Sequence, residues 1–283
     1  MASYRRVLRS APARLIVELA VVIGLTVGLH IATEAICDAL GIPDAHFAVF
    51  LVIAVPALFV AYRFLVRWLE RREIAELARA GATREVGAGL AVGFALFAVT
   101  IGAIAVLGGY SIAGRNSLTA IAVPLAAALV AAFTEELVMR GVLFRIVEDW
   151  LGTWAALVIS SLLFGVLHAG NPHATVWSTA AIALEAGTML AAAYIRTRRL
   201  WFPIGVHAAW NFTQGGIFGV AVSGTTSKGL LQGELHGPAW LTGGEFGAEA
   251  SAIAVVVCFA CAAVLLAGSL RAGRFVAPSW ARR

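Results

Sequence analysis

Three short runs set ionisable or polar side chains where an apolar chain should have none. "TEELVMRG" places Glu135, Glu136 and Arg140 inside "AIAVPLAAALVAAFTEELVMRGVLF". "FGVLH" sets Phe164 four residues before His168, and "HAAWN" sets His207 four residues before Asn211. A charge at the centre of a bilayer costs at least about 2.5–3.5 kcal/mol on insertion scales, so each needs a partner or a purpose. Glu136 and Arg140, one turn apart, share a helix face and can pair. Glu135 is turned about 100° away and is left to point elsewhere. These types at these spacings suit a structural pair, an ion path or a catalytic centre. Either histidine alone reads more readily as an interhelical hydrogen-bonding residue.

The elements that must position these residues follow from composition. The chain has 283 residues, 60% hydrophobic and only 13% charged, where a soluble domain carries about a quarter charged. This excludes an ordinary soluble fold and implies an all-α, polytopic transmembrane helical bundle forming a single membrane domain over 1–283. Apolar runs long enough to cross a bilayer lie at about 15–37, 46–66, 86–108, 117–138, 152–169, 174–195, 200–220 and 251–270. That makes eight spans, with 221–249 as an outer loop. The run before the first span resembles a signal-peptide n-region, but the apolar stretch is too long for one, so an uncleaved anchor is expected.

Charge placement sets the orientation. With the N-terminus and C-terminus cytoplasmic, the inner segments 1–14, 63–85, 139–150, 196–199 and 271–283 hold 4, 6, 2, 3 and 4 Lys/Arg, or 19 of 21. Only Arg115 and Lys228 fall outside. The positive-inside bias therefore accounts for the basic pI of 9.6 without a nucleic-acid partner.

Other features read as structural. "RWLERREIAELARAG", at 67–81, has an apolar side and a charged one, and is expected as an interfacial amphipathic helix. Cys258 and Cys261 have redox-like spacing but no polar setting, and with Cys37 read as packing residues. Gly24/Gly28 and Gly89/Gly93 are small-xxx-small pairs expected at helix contacts. His30 and Glu34 read as a structural pair, and Glu185 as a packing or pore-lining residue. His46, His173 and His236 read as solvated.

Depth gives an independent test of whether the three runs meet. From Glu135 inward to about Asp149, and back up from Thr153 to His168, are roughly equal climbs of about 21–22 Å. His207 lies about 10 Å from the start of its span. The expected site is thus about 10 Å below the inner surface and open to the cytoplasmic side.

In order and on separate spans, "EELVMR" (E-E-x-x-x-R), "FGVLH" (F-x-x-x-H) and "HAAWN" (H-x-x-x-N) resemble the CPBP family of CAAX prenyl endopeptidases, bacteriocin-processing enzymes and abortive-infection-like membrane proteins. The resemblance covers about 117–220, the catalytic core helices, with a looser echo in "LTGGEFGAEAS" at 241–251. Met139 stands where an aromatic is frequent in relatives.

The resemblance implies intramembrane hydrolysis of a peptide bond in a membrane-anchored, CAAX-like or bacteriocin-type substrate. Glu135 and His168 would activate a water, His207 and Asn211 would stabilise the oxyanion, and Glu136, Arg140 and Phe164 would support them. Such chemistry suits the residue types, because donors aimed at a developing oxyanion in a dry site contribute several kcal/mol, of order 3. No cofactor is required, although Glu136, His168 and His207 are conceivable zinc ligands. Two other classes share some of these features: a proton-coupled transporter and a catalytically silent scaffold or immunity protein. A transporter should show inverted repeats with broken helices in both halves. Here the polar residues concentrate in the second half.

Overall fold

The computed structural model describes residues 10–282. Its helices are α1 (Ala11–Ala39), α2 (Pro43–Glu70), α3 (Ala82–Val106), α4 (Leu118–Leu151), α5 (Thr153–Gly170), α6 (Val176–Thr197), α7 (201–217) and α8 (Ala252–Arg271). Seven of these, all but α7, are long and apolar enough to cross a membrane. The stretch expected as a span at 200–220 forms α7, shorter than the rest, buried among them and not one of the seven. The basic run at 1–9 lies outside the described residues.

Glycines decide which helices touch. A Cβ on Gly89 would meet the Phe202 carbonyl at 2.4 Å, and one on Gly93 the Val206 carbonyl at 2.2 Å. From the other side, a Cβ on Gly205 would meet the Val86 carbonyl at 2.6 Å. The α3 and α7 backbones thus approach as closely as two helices can, the arrangement small-xxx-small pairs permit. This close approach fixes α7, and with it His207 and Asn211. Gly24 and Gly28 behave differently: nothing lies within 4 Å of a Cβ at either, so the expected contact on α1 does not form. Identical spacing can face a helix or face lipid.

At one end of the bundle, two strands form an antiparallel ribbon, β1 (Tyr110–Arg115) with β2 (Leu231–Leu235), bulged between Ile112 and Gly114. The sequence reading had only a loop here. At the arginine-rich end, the expected amphipathic helix at 67–81 is absent. Arg71 takes a left-handed conformation (φ 56°), which ends α2, and only Ala75–Leu77 forms a further turn. Electrostatics supplies the reason. Glu76 folds back into the bundle, where Arg72 binds it at 2.6 and 2.8 Å and the Tyr62 hydroxyl lies against it. Burial alone would raise the Glu76 carboxyl, but Arg72 and Tyr62 override it and hold it below its ordinary value.

This network reaches α4. Arg145 of α4 binds Glu70 through two 2.6 Å hydrogen bonds and reaches Glu18 at 3.3 Å, while Arg14 adds a 3.0 Å contact to Glu70. Within α4, the stretch Leu137–Phe144 winds as a π-helix. The Gly141 carbonyl there accepts from Tyr62 at 2.8 Å and from Arg145 at 2.8 Å. The sequence-based pairing of His30 with Glu34 does not form among the described residues. The His30 ring instead packs on His46, Phe47 and Phe50.

Candidate active site

Glu135 and Glu136 end the α-helical part of α4, immediately before its π-helical stretch. Their side chains diverge as a 100° step requires. Glu136 is fully buried and its Oε1 accepts from Arg140 at 2.7 Å. Arg140, also fully buried, donates to the Gly187 carbonyl at 3.1 Å and sits 4.9 Å from the centre of the Phe164 ring. Glu135 is partly open, and its Oε2 makes no hydrogen bond to protein.

His207 joins the two carboxylates. Its Nδ1 is 3.2 Å from Glu136 Oε1 and its Nε2 is 3.9 Å from Glu135 Oε2. On α5, His168 Nδ1 donates to the Phe164 carbonyl at 2.7 Å, which leaves Nε2 free to face outward from its own helix. The Phe164 ring packs between the histidines, 4.8 Å from His168 and 6.1 Å from His207. Gly165 lets α5 pack this closely on α6: a Cβ there would meet the Thr179 carbonyl at 2.4 Å.

Glu135, Phe164, His168, His207 and Asn211 all line one cavity of about 650 Å³. Glu136 and Arg140 sit behind it as a closed pair. Besides the exposed Asp44, two further carboxylates line the same cavity. Glu185, read from sequence as packing or pore-lining, projects from a π-helical turn of α6 (Ala183–Gly187). Glu249 was not singled out, and the only signal for it was the echo at 241–251. Burial pushes the Glu249 carboxyl up. His168 and the Ser223 N–H, which donates to Oε1 at 2.5 Å, partly offset this.

Glu249 reaches this position because the outer loop is not loose. Asn171 binds the Ser223 carbonyl at 3.1 Å, Gln214 binds the Ala221 carbonyl at 2.6 Å, and Trp177 binds the Ala250 carbonyl at 2.8 Å. Ala248, Glu249 and Ala250 are buried, so the segment dips between the helices before Ser251 caps α8.

The expected opening was to the cytoplasmic side; the cavity's lining runs away from the arginine-rich end of the bundle. Its far end is lined by Asp44, Phe47, Thr119 and residues 225–228, and no arginine lines it. It therefore faces the end that carries the ribbon. With both termini cytoplasmic, that is the outer end, so that orientation and an inward opening do not hold together for this cavity. Depth along a helix gives height alone. At the arginine-rich end the way is filled by the Glu136–Arg140 pair and the Tyr62–Glu76–Arg145 network.

Among the described residues, no group of three or more His, Cys, Asp or Glu could hold a metal ion. Of the conceivable ligands, Glu136 is engaged by Arg140 and His207.

Comparison with known proteins points one way. Residues 116–213 match the family model "Type II CAAX prenyl endopeptidase Rce1-like". Over 93 residues the chain is 31% identical to a Bacillus subtilis (strain 168) protein named "Putative membrane peptidase YdiL", covering 32% of this chain and 36% of that one. The match thus spans about a third of that relative's length. No solved structure matches the chain significantly. Both matches fall on the segment that carries the three motifs and agree with the CPBP resemblance.

Proposed function

We propose that the chain is an intramembrane endopeptidase that hydrolyses a peptide bond in a membrane-associated substrate, using a glutamate-activated water. One observation carries this reading: adjacent glutamates are treated oppositely. Glu136 is closed into a pair with Arg140, while Glu135, whose Oε2 makes no hydrogen bond, lines the cavity shared with two histidines and an asparagine.

In this reading Glu135, with His168 opposite, takes a proton from water as it attacks the scissile carbonyl. His207 gives Nδ1–H to Glu136; as imidazolium it keeps Nε2–H for the oxyanion, beside the Asn211 amide. The same proton pool then supplies the leaving amine. Arg140 and Phe164 position the histidines rather than touch the substrate. The mechanism needs no metal. Chelation of the purified protein should leave activity intact, and zinc that is stoichiometric, removable with loss of activity and restorable would overturn this.

The test compares peptide termini from membranes of cells producing the wild-type chain or Glu135→Gln. New termini should appear only with the wild type. Identical profiles from the two would refute peptidase action through Glu135.

A further inference from the structure

Two buried carboxylates of the cavity are left unused by this mechanism. Glu185 is 1% exposed and Glu249 2% exposed, and both line the cavity. Neither oxygen of Glu185 makes a hydrogen bond of ordinary geometry to protein; the Cys258 thiol and the Ala186 backbone are the polar groups beside it. Glu249 faces Glu185 from the outer segment and spends Oε1 on the Ser223 N–H.

Among the described residues no guanidinium or ammonium answers them; His168 and His207 act on Glu249 alone. Arg140 is spent on Glu136 and Gly187, and the only lysine, Lys228, is an exposed lining residue of the segment at the cavity's far end. The contrast with the arginine-rich end is direct. There each of Glu70 and Glu76 has at least one guanidinium within 3.0 Å. Burying a carboxylate without a partner is costly, and a chain gains nothing in stability from two that face each other. The local backbone nevertheless holds them there. Glu185 sits on a π-helical turn, a distortion that re-aims side chains and recurs at functional sites. Glu249 is fixed by the hydrogen bonds that pin the segment above it.

We infer that Glu185 and Glu249 form a cation-accepting subsite of the cavity, which receives a basic group of the peptide, either a lysine or arginine side chain or the N-terminal ammonium. A cation there replaces the missing counter-charge and is desolvated with it, so its contribution is larger than on a surface. The subsite selects peptides carrying a positive charge a few residues from the bond presented to Glu135. It rests on the peptidase reading, but its binding can be measured without turnover.

The experiment uses the full chain in detergent with Glu135→Gln, and fluorescent peptides in three matched forms. These carry one lysine, norleucine in its place, or norleucine with a free rather than acetylated N-terminus. The lysine form should bind at least 10-fold more tightly than its acetylated norleucine twin. Tighter binding of the free-amine form alone would identify the ammonium as the ligand. Adding Glu185→Gln should bring the ratio close to one, with thermal stability unchanged or raised because an unpartnered carboxylate is removed. Equal binding of all three forms overturns the subsite, as does a ratio that survives Glu185→Gln. Wild-type cleavage of the same peptides is scored separately, so loss of cleavage with retained discrimination counts against the peptidase reading alone.

Discussion

Two clusters of buried charge lie in this molecule, and they are built on opposite principles. At the arginine-rich end, Glu18, Glu70 and Glu76 meet Arg14, Arg72 and Arg145, and the carboxylates are tied to guanidinium groups or to Tyr62. In the cavity, Glu135, Glu185 and Glu249 meet two histidines and an amide, and oxygens of Glu135 and Glu185 stay unpartnered. The first arrangement pairs every carboxylate with a guanidinium, although Arg14 Nε and Glu18 Oε1 make no hydrogen bond, and holds α1, α2 and α4 together. The second leaves charge unsatisfied in a concave site, which is costly for folding and useful for catalysis or binding. Glu136 and Arg140 mark the border, charge-paired like the first cluster but adjacent to the second, with Glu136 Oε2 and Arg140 Nε left without a hydrogen bond.

Substitutions can break this contrast. Glu135→Gln should lower peptidase activity by about 10²–10⁴-fold, the usual contribution of a general base, with little change in thermal unfolding. A variant equally active, or one unfolded outright, contradicts the assignment of Glu135 to the unsatisfied side. Arg140→Ala removes the partner of a fully buried carboxylate and should cost about 3–5 kcal/mol of stability. Denaturant midpoints read this directly, and a double variant with Glu136→Gln should recover part of the loss.

Glu76 sharpens the contrast through pH. Its carboxyl is held below its ordinary value of 4.5, so its stabilisation is complete above that value and is lost as pH falls through the lower folded one. Glu76→Gln should cost about 1–3 kcal/mol at neutral pH, because buried donors of Arg72 are stranded, and should flatten the acid limb of stability. An unchanged acid limb would remove Glu76 from the network. The smallest effect concerns packing. Gly93→Ala should destabilise by about 1–3 kcal/mol, since its Cβ meets the Val206 carbonyl of α7, whereas Gly28→Ala should stay within about 0.5 kcal/mol. Matching losses at the two positions would mean that α1 has a helix partner at Gly28.

Much of the architecture was legible in the chain because it depends on composition and local periodicity. Apolar runs must become helices where no water can satisfy the backbone, so the bundle follows from the lengths of those runs. Adjacent glutamates must diverge by 100° and residues four apart must share a face. The pairing of Glu136 with Arg140 and the separate aim of Glu135 were therefore written into "EELVMR". Equal climbs along α4 and α5 likewise bring Glu135 and His168 to similar heights.

What required the tertiary structure was everything that depends on which faces meet. Sequence could not separate Gly93, against the α7 backbone, from Gly28, against nothing. Periodicity made 67–81 an amphipathic helix, but Arg71 and the pull of Arg72 and Tyr62 on Glu76 broke it. The segment around Glu249 looked like an ordinary polar loop; hydrogen bonds from Asn171, Gln214 and Trp177 fold it into the bundle and put a further carboxylate in the cavity. The end of the bundle that the cavity's lining reaches depends on the same packing. Local rules fix how far along its helix each residue lies, and only packing between distant segments fixes which end is filled.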